Sequence, residues 1–136
     1  MMGFEPLTEK MIGCAFRVYN QMGFGFLKFV YEQCMMIELE RSGLHATAQQ
    51  PIKAEYEGIV VGDFIADVVV EDTVIVELKS VRRLNQAHDA QVVNYLVATG
   101  KPVGLLLNFG EEKVEVKRKV RAFSESCHSR YPVKKG

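Results

Sequence analysis

Along the first part of the chain the apolar positions recur at helical spacing. Met11, Ile12, Ala15, Val18, Tyr19 and Met22 share one face, Thr8 stands ahead of them as a helix cap, and Gly23 offers a left-handed stop. A surface helix with one buried face is expected there. After the turn GFG, residues 26–42 are apolar nearly all round, which predicts a second helix packed on both sides and ended by Gly43. From Ala46 the period falls to two. Residues 47–56, 59–70 and 73–80 read as three strands of an antiparallel meander, with Glu71, Asp72 and Thr73 as turn material. Asn85 then caps a helix through QAHDAQVVNYLVAT, stopped by Gly100, and KPVGLLLNFG is a continuous apolar run typical of a strand buried on both faces. The segment EKVEVKRKV alternates and reads as a last edge strand, whereas the tail CHSRYPVKKG has no periodicity. The expected fold class is α/β, with elements in the order αα-βββ-α-β.

At 136 residues the chain is long enough for one domain with a real core and too short for two of ordinary size. A single domain over residues 1–136 is therefore expected, with a basic tail over about 121–136. No apolar run is long enough to cross a bilayer and no charged-then-apolar leader opens the chain, so a cytoplasmic location and no membrane partner are expected. Cys14, Cys34 and Cys127 are odd in number and far apart, without a C-x-x-C pair, which argues against structural zinc, an iron–sulfur cluster or a disulfide framework. Net charge is zero but unevenly spread: residues 1–112 hold 9 basic against 15 acidic side chains, and residues 113–136 hold 8 against 2. That basic end is either a solvated terminus or a phosphate-binding arm.

Charge also sits where buried strands should avoid it, at Asp67, Glu77 and Lys79. Glu77 and Lys79 are two apart on a strand and share a face, opposite Val74, Val76 and Leu78, while Asp67 shares its face with Ile65 and Val69. Loop length decides whether the carboxylates meet. If residues 71–73 form a three-residue loop, Val70 pairs with Val74 and Asp67 falls opposite Glu77; a two-residue loop puts them on opposite faces. In the first register their Cβ atoms lie roughly 5 Å apart, close enough for both carboxylates to hold one hard cation. The alternative is a surface hairpin with an ordinary cross-strand Glu–Lys pair. On the following helix His88, Gln91 and Tyr95 are spaced three and four apart and form one stripe, which is either part of the same site or a solvated face.

The order Asp67, Glu77-Leu78-Lys79 and Gln91-x-x-x-Tyr95 resembles the signature of the PD-(D/E)xK nuclease superfamily, in the branch of RecB-type nucleases. Most of the chain, from Thr8 to Gly110, is similar to the small proteins called the GxxExxY family. The blocks TEKMIG, GFGFLKFVYEQ, FIADVVVEDTVIVELKSV, HDAQVVNYL and GLLLNFG carry that likeness. One position departs: Gly25-x-x-Lys28-x-x-Tyr31 has Lys where the family has Glu. The resemblance implies a restriction-endonuclease-like core. It further implies Mg²⁺ or Mn²⁺ held by Asp67, Glu77 and the Leu78 carbonyl, with Lys79, Gln91 and Tyr95 completing the catalytic group. In related nucleases an acidic residue on the early helix assists the metal site, so Lys28 would repel the cation or contact phosphate, and Glu32 one turn along would pair with it or replace the missing carboxylate. His88 is either near the site or caps local structure. Lys117, Arg118, Lys119 and Arg121 would bind nucleic-acid phosphate, giving affinity without sequence information. A metal-dependent nuclease of low sequence specificity is expected, acting on nucleic acid, DNA ahead of RNA. The rival expectation is a catalytically degenerate nuclease fold serving as a binding or assembly subunit. The acidic body makes a homodimer or larger complex the expected source of further electrostatic contact.

Overall fold

The computed structural model of the chain describes residues 4–121; Cys127 and the basic tail beyond Arg121 lie outside the described residues. Eight elements follow one another: α1 (Glu5–Met22), α2 (Lys28–Arg41), β1 (Ala46–Tyr56), β2 (Ile59–Val70), β3 (Val74–Lys79), α3 (Gln86–Thr99), β4 (Val103–Phe109) and β5 (Val114–Val120). The strands form one mixed sheet in chain order, β1-β2-β3-β4-β5. Only the β3–β4 pair is parallel, because α3 carries the chain back across the sheet between them.

Each face of the sheet is closed by helices. On one face Val68, Val70, Val76, Leu78, Leu105 and Leu107 pack against Met11, Cys14, Val18, Tyr31, Met35 and Leu39 of α1 and α2. On the other, Val69 and Ile75 pack with Ile52, Tyr95 and Leu96 beneath α3. All seven residues of β4 are buried, as expected of a strand covered on both sides. At Gly104 on β4, α3 comes so close that an added Cβ would lie 2.5 Å from a Val92 methyl carbon. Glycine there sets how near the helix lies to the sheet. Among the described residues no helix is long and apolar enough to cross a membrane.

Two helix expectations need correction. Thr8 is not a cap: α1 begins three residues earlier behind Phe4, and the buried Thr8 hydroxyl donates back to the Phe4 and Glu5 carbonyls. The Pro6 near the start explains the earlier entry, since proline suits the first helical turn. The second helix begins at Lys28 rather than Phe26 and buries one face only, through Tyr31, Glu32, Met35 and Leu39. Leu27, Phe29 and Ile37 remain exposed, so its apolar outer positions do not mark a second packing surface among the described residues.

Candidate active site

The β2–β3 hairpin adopts the register in which the carboxylates meet. Val70 pairs with Val74 and Val68 with Val76, which sets Asp67 opposite Glu77. The turn holds two left-handed residues: Glu71 and Asp72 both have positive φ, 53° each, and Thr73 N–H donates to Val70 O. Glu71 stabilises this bend by accepting the His45 N–H through Oε2 at 2.7 Å.

Past Val68 and Val76 the backbone ladder stops and the carboxylates replace it. Asp67 N–H donates to Glu77 Oε2 at 3.1 Å, and Leu78 N–H donates to Asp67 Oδ2 at 2.8 Å. Each acidic side chain thus satisfies a backbone donor that the parting strands would otherwise orphan. The kink has a partner on β1, where Gln49, between the pairs Ala48–Val68 and Gln50–Ala66, is left-handed at φ 55°. Along β2 the residues from Ala66 to Val70 are buried, whereas Ile65, on the same face as Asp67, is exposed.

Asp67, Glu77 and Glu32 are all buried, at 4, 3 and 4% exposure. Crowding three carboxyls in a dry place disfavours their ionised forms. Glu77 is pushed up to about 7, first by burial and then by Asp67, against the opposing Asp67 N–H, Lys28 and Lys79. Glu32 is also raised, by burial and by Asp67, although Gln49 Nε2 donates to it at 2.8 Å. Glu32 therefore pairs with Gln49, not with Lys28.

Lys28, the first residue of α2, reaches across to Asp67, with Nζ 3.0 Å from Oδ1. The loop before it is fastened at both sides. The buried Tyr31 hydroxyl donates to Gly23 O and accepts the Phe26 N–H, and its ring stacks on Phe109 with centroids 4.3 Å apart. Ser80, next to Lys79, donates from Oγ to Phe26 O at 2.7 Å and ties the loop to the end of β3. Gly25 supplies the turn with φ 115°.

On the opposite flank Lys79 Nζ donates to Gln91 Oε1 at 3.4 Å, and Gln91 Nε2 donates to Tyr95 Oη at 3.2 Å. One stripe of α3 thereby holds the lysine. Tyr95 is buried, at 6% exposure, and its hydroxyl is raised by burial and by Glu77 and Asp67. His88 lies off this chain of bonds. Its Nδ1 accepts the Asn85 N–H while its own N–H donates to Asn85 Oδ1, closing a capping box at the start of α3. The segment between Lys79 and α3 is anchored by buried Asn108, which bonds both the N–H and the carbonyl of Val81 and reaches Glu115.

The basic residues of β5 do not form one cationic face. Lys117 and Lys119 turn toward Asp89 of α3, with Nζ 4.0 and 3.5 Å from Oδ2, while Arg118 between them belongs to the other face of the strand. Arg121 follows β5 and is exposed.

The donor set bears on a divalent cation in two ways. Asp67 Oδ2 and Glu77 Oε2 are occupied by backbone N–H groups, which leaves Asp67 Oδ1 and Glu77 Oε1 as the outward oxygens. Among the described residues no cluster of three His, Cys, Asp or Glu side chains forms a closed cage. Two carboxylate oxygens suit Mg²⁺ or Mn²⁺, which bind through one or two carboxylates and keep several waters. The raised Glu77 carboxyl is a charge conflict that such an ion would relieve. Lys28 is the competing feature, because its ammonium already lies against Asp67 Oδ1.

Comparison with known proteins supplies the family context. Residues 5–119 match the family model of the PD-(D/E)XK nuclease superfamily. No curated protein sequence matches. Among solved structures, the crystal structure of SSO0001 is similar at a TM-score of 0.53 and 13% identity; 93% of this chain is covered, and it spans 64% of that chain's length. An alkaline exonuclease (LHK-Exo) from Laribacter hongkongensis aligns over 93% of this chain and 89% of its own at 15% identity, with a TM-score of 0.44.

Proposed function

The chain belongs to the PD-(D/E)XK nuclease superfamily, and from that premise we propose that it is a metal-dependent nuclease that hydrolyses phosphodiester bonds of nucleic acid, DNA ahead of RNA, with low sequence specificity. The observation that carries this reading is the meeting of two buried carboxylates where the β2–β3 ladder opens, beside a lysine held by α3. Asp67 and Glu77 would hold Mg²⁺ or Mn²⁺ with the Leu78 carbonyl, and the ion would act as a Lewis acid and lower the pKa of a bound water. Lys79 faces the same space and places positive charge where a phosphate oxygen gains negative charge. Gln91 orients Lys79, and Tyr95 fixes the Gln91 amide so that its oxygen, not its nitrogen, meets the ammonium. Lys117, Arg118, Lys119 and Arg121 would serve as peripheral phosphate contacts that carry no base information.

A second reading is favoured by one contact. Lys28 neutralises Asp67 from within, which suits a family member that binds through the same cleft without cutting. The likeness to the GxxExxY proteins makes this position the point of departure between the two. Labelled DNA incubated with Mg²⁺, with Mn²⁺ and with chelator, beside Glu77→Ala and Lys79→Ala variants, separates them. Metal-dependent cutting lost in both variants supports the nuclease. Absence of cutting by the native chain, together with cutting gained by Lys28→Glu, supports the binding form.

A further inference from the structure

A groove of about 500 Å³ runs between α3 and the β1–β2 hairpin. Ala54 and Phe64 form its hairpin wall, Ala90 and Asn94 line the helix side, and Gln91 and Tyr95 belong both to the groove and to the bond chain from Lys79. The cleft and the groove are thus continuous through two shared side chains. Phe64 is 43% exposed, and its ring is tilted 43° to Tyr95 at 5.6 Å, so it is braced from one side and open on the other.

The chemistry of this lining is selective. A nucleobase has flat apolar faces and polar edges, and the groove offers an aromatic ring, alanine walls and an exposed amide at Asn94. Bases in a duplex are already stacked and present no free face. We propose that the groove seats an unpaired base of the strand entering the cleft, which makes single-stranded nucleic acid the substrate class. This inference rests on the nuclease reading above.

The probe is an oligodeoxynucleotide of about twelve residues, a length matched to single-strand sites of this size, carrying 2-aminopurine, whose fluorescence falls when it stacks. Binding is followed by anisotropy in chelator and in Ca²⁺, against the same sequence as a blunt duplex. The native chain is expected to prefer the single strand and to quench the 2-aminopurine. Phe64→Ala removes the platform and Ala90→Leu fills the groove from an exposed helical position. Each should weaken single-strand binding by about tenfold, the size of one lost base–aromatic stack, and abolish the quench. Single-strand affinity and quench unchanged in both variants, or a duplex bound as tightly as the single strand, would overturn the groove assignment. Duplex cleavage indifferent to both variants also overturns the groove while leaving the nuclease standing. Intact groove-dependent binding without cleavage under any metal does the reverse. No binding of either form removes both.

Discussion

Glu77→Gln is the most informative single change, because it keeps the shape of the side chain and removes its ionisation. The amide oxygen still accepts the Asp67 N–H that Glu77 Oε2 accepts in the native chain. A carboxyl raised from 4.5 to about 7 costs the folded state about 3 kcal/mol once ionised, at about 1.4 kcal/mol for each tenfold change in proton affinity. The sign follows from proton binding. Between pH 4.5 and about 7 the folded chain holds the Glu77 proton and the unfolded chain has released it, so stability falls as pH rises through that window. Below it the contribution is fully present; above it the contribution is gone. Urea unfolding in chelator should therefore show native and variant with similar stability near pH 4.5. By pH 8 the variant should lead by about 3 kcal/mol, a midpoint shift on the order of 1–3 M. Mg²⁺ at pH 8 should then stabilise the native chain and leave the variant unmoved. A difference between the two that does not change with pH, or a native chain that is the more stable at pH 8, would refute the account of Glu77 as a destabilised acid awaiting a cation.

Three further outcomes follow from named contacts. Lys28→Gln removes an ammonium 3.0 Å from Asp67 Oδ1. A divalent ion about 4 Å from such a charge is repelled by about 2 kcal/mol even in water, so Mn²⁺ affinity by calorimetry should rise on the order of tenfold, and an unchanged affinity would mean that the lysine does not compete. Gly104→Ala drives a Cβ into Val92 and should cost about 1–3 kcal/mol, read as a lower urea midpoint. Tyr31→Phe unlatches the loop at Gly23 and Phe26, costing about 1–2 kcal/mol and accelerating hydrogen exchange at the Phe26 amide.

The strands and α3 were legible because burial imposes a period, and the period changes at recognisable residues such as Asn85 and Gly100. Register was legible only as a pair of alternatives, because loop length fixes it: the pairing of Val70 with Val74 selects the three-residue loop, and Asp67 then faces Glu77. Gln49, Ser80 and Asn108 were not. Each acts on a residue far along the chain, Gln49 on Glu32, Ser80 on Phe26 and Asn108 on Val81, and no local pattern encodes such a partner. A left-handed Gln49 could not be foreseen from its type, since glutamine lacks the short side chain that makes Asn and Asp tolerant of that conformation. The outer apolar residues of α2 misled for a different reason. Periodicity reports which side chains avoid water in most proteins, and Leu27 and Phe29 stay exposed on either side of Lys28.

The charge count around the cleft bears on what Lys28 does there. Glu32, Asp67 and Glu77 face Lys28 and Lys79, so the fully ionised group carries one net negative charge. Without a metal, the raised Glu77 carboxyl would offset that excess by holding a proton below about pH 7. One divalent ion turns the count to one positive charge, which a phosphodiester balances. With glutamate at the Lys28 position the same count would begin two charges more negative, and one ion would still leave the site repelling phosphate. The lysine thus shifts the electrostatic demand from metal toward substrate. Such a site is expected to bind Mn²⁺ weakly in isolation and more firmly beside nucleic acid, since a phosphate would draw the Lys28 ammonium off Asp67 Oδ1 and free that oxygen; Mn²⁺ affinity that is the same with and without an oligonucleotide would refute this.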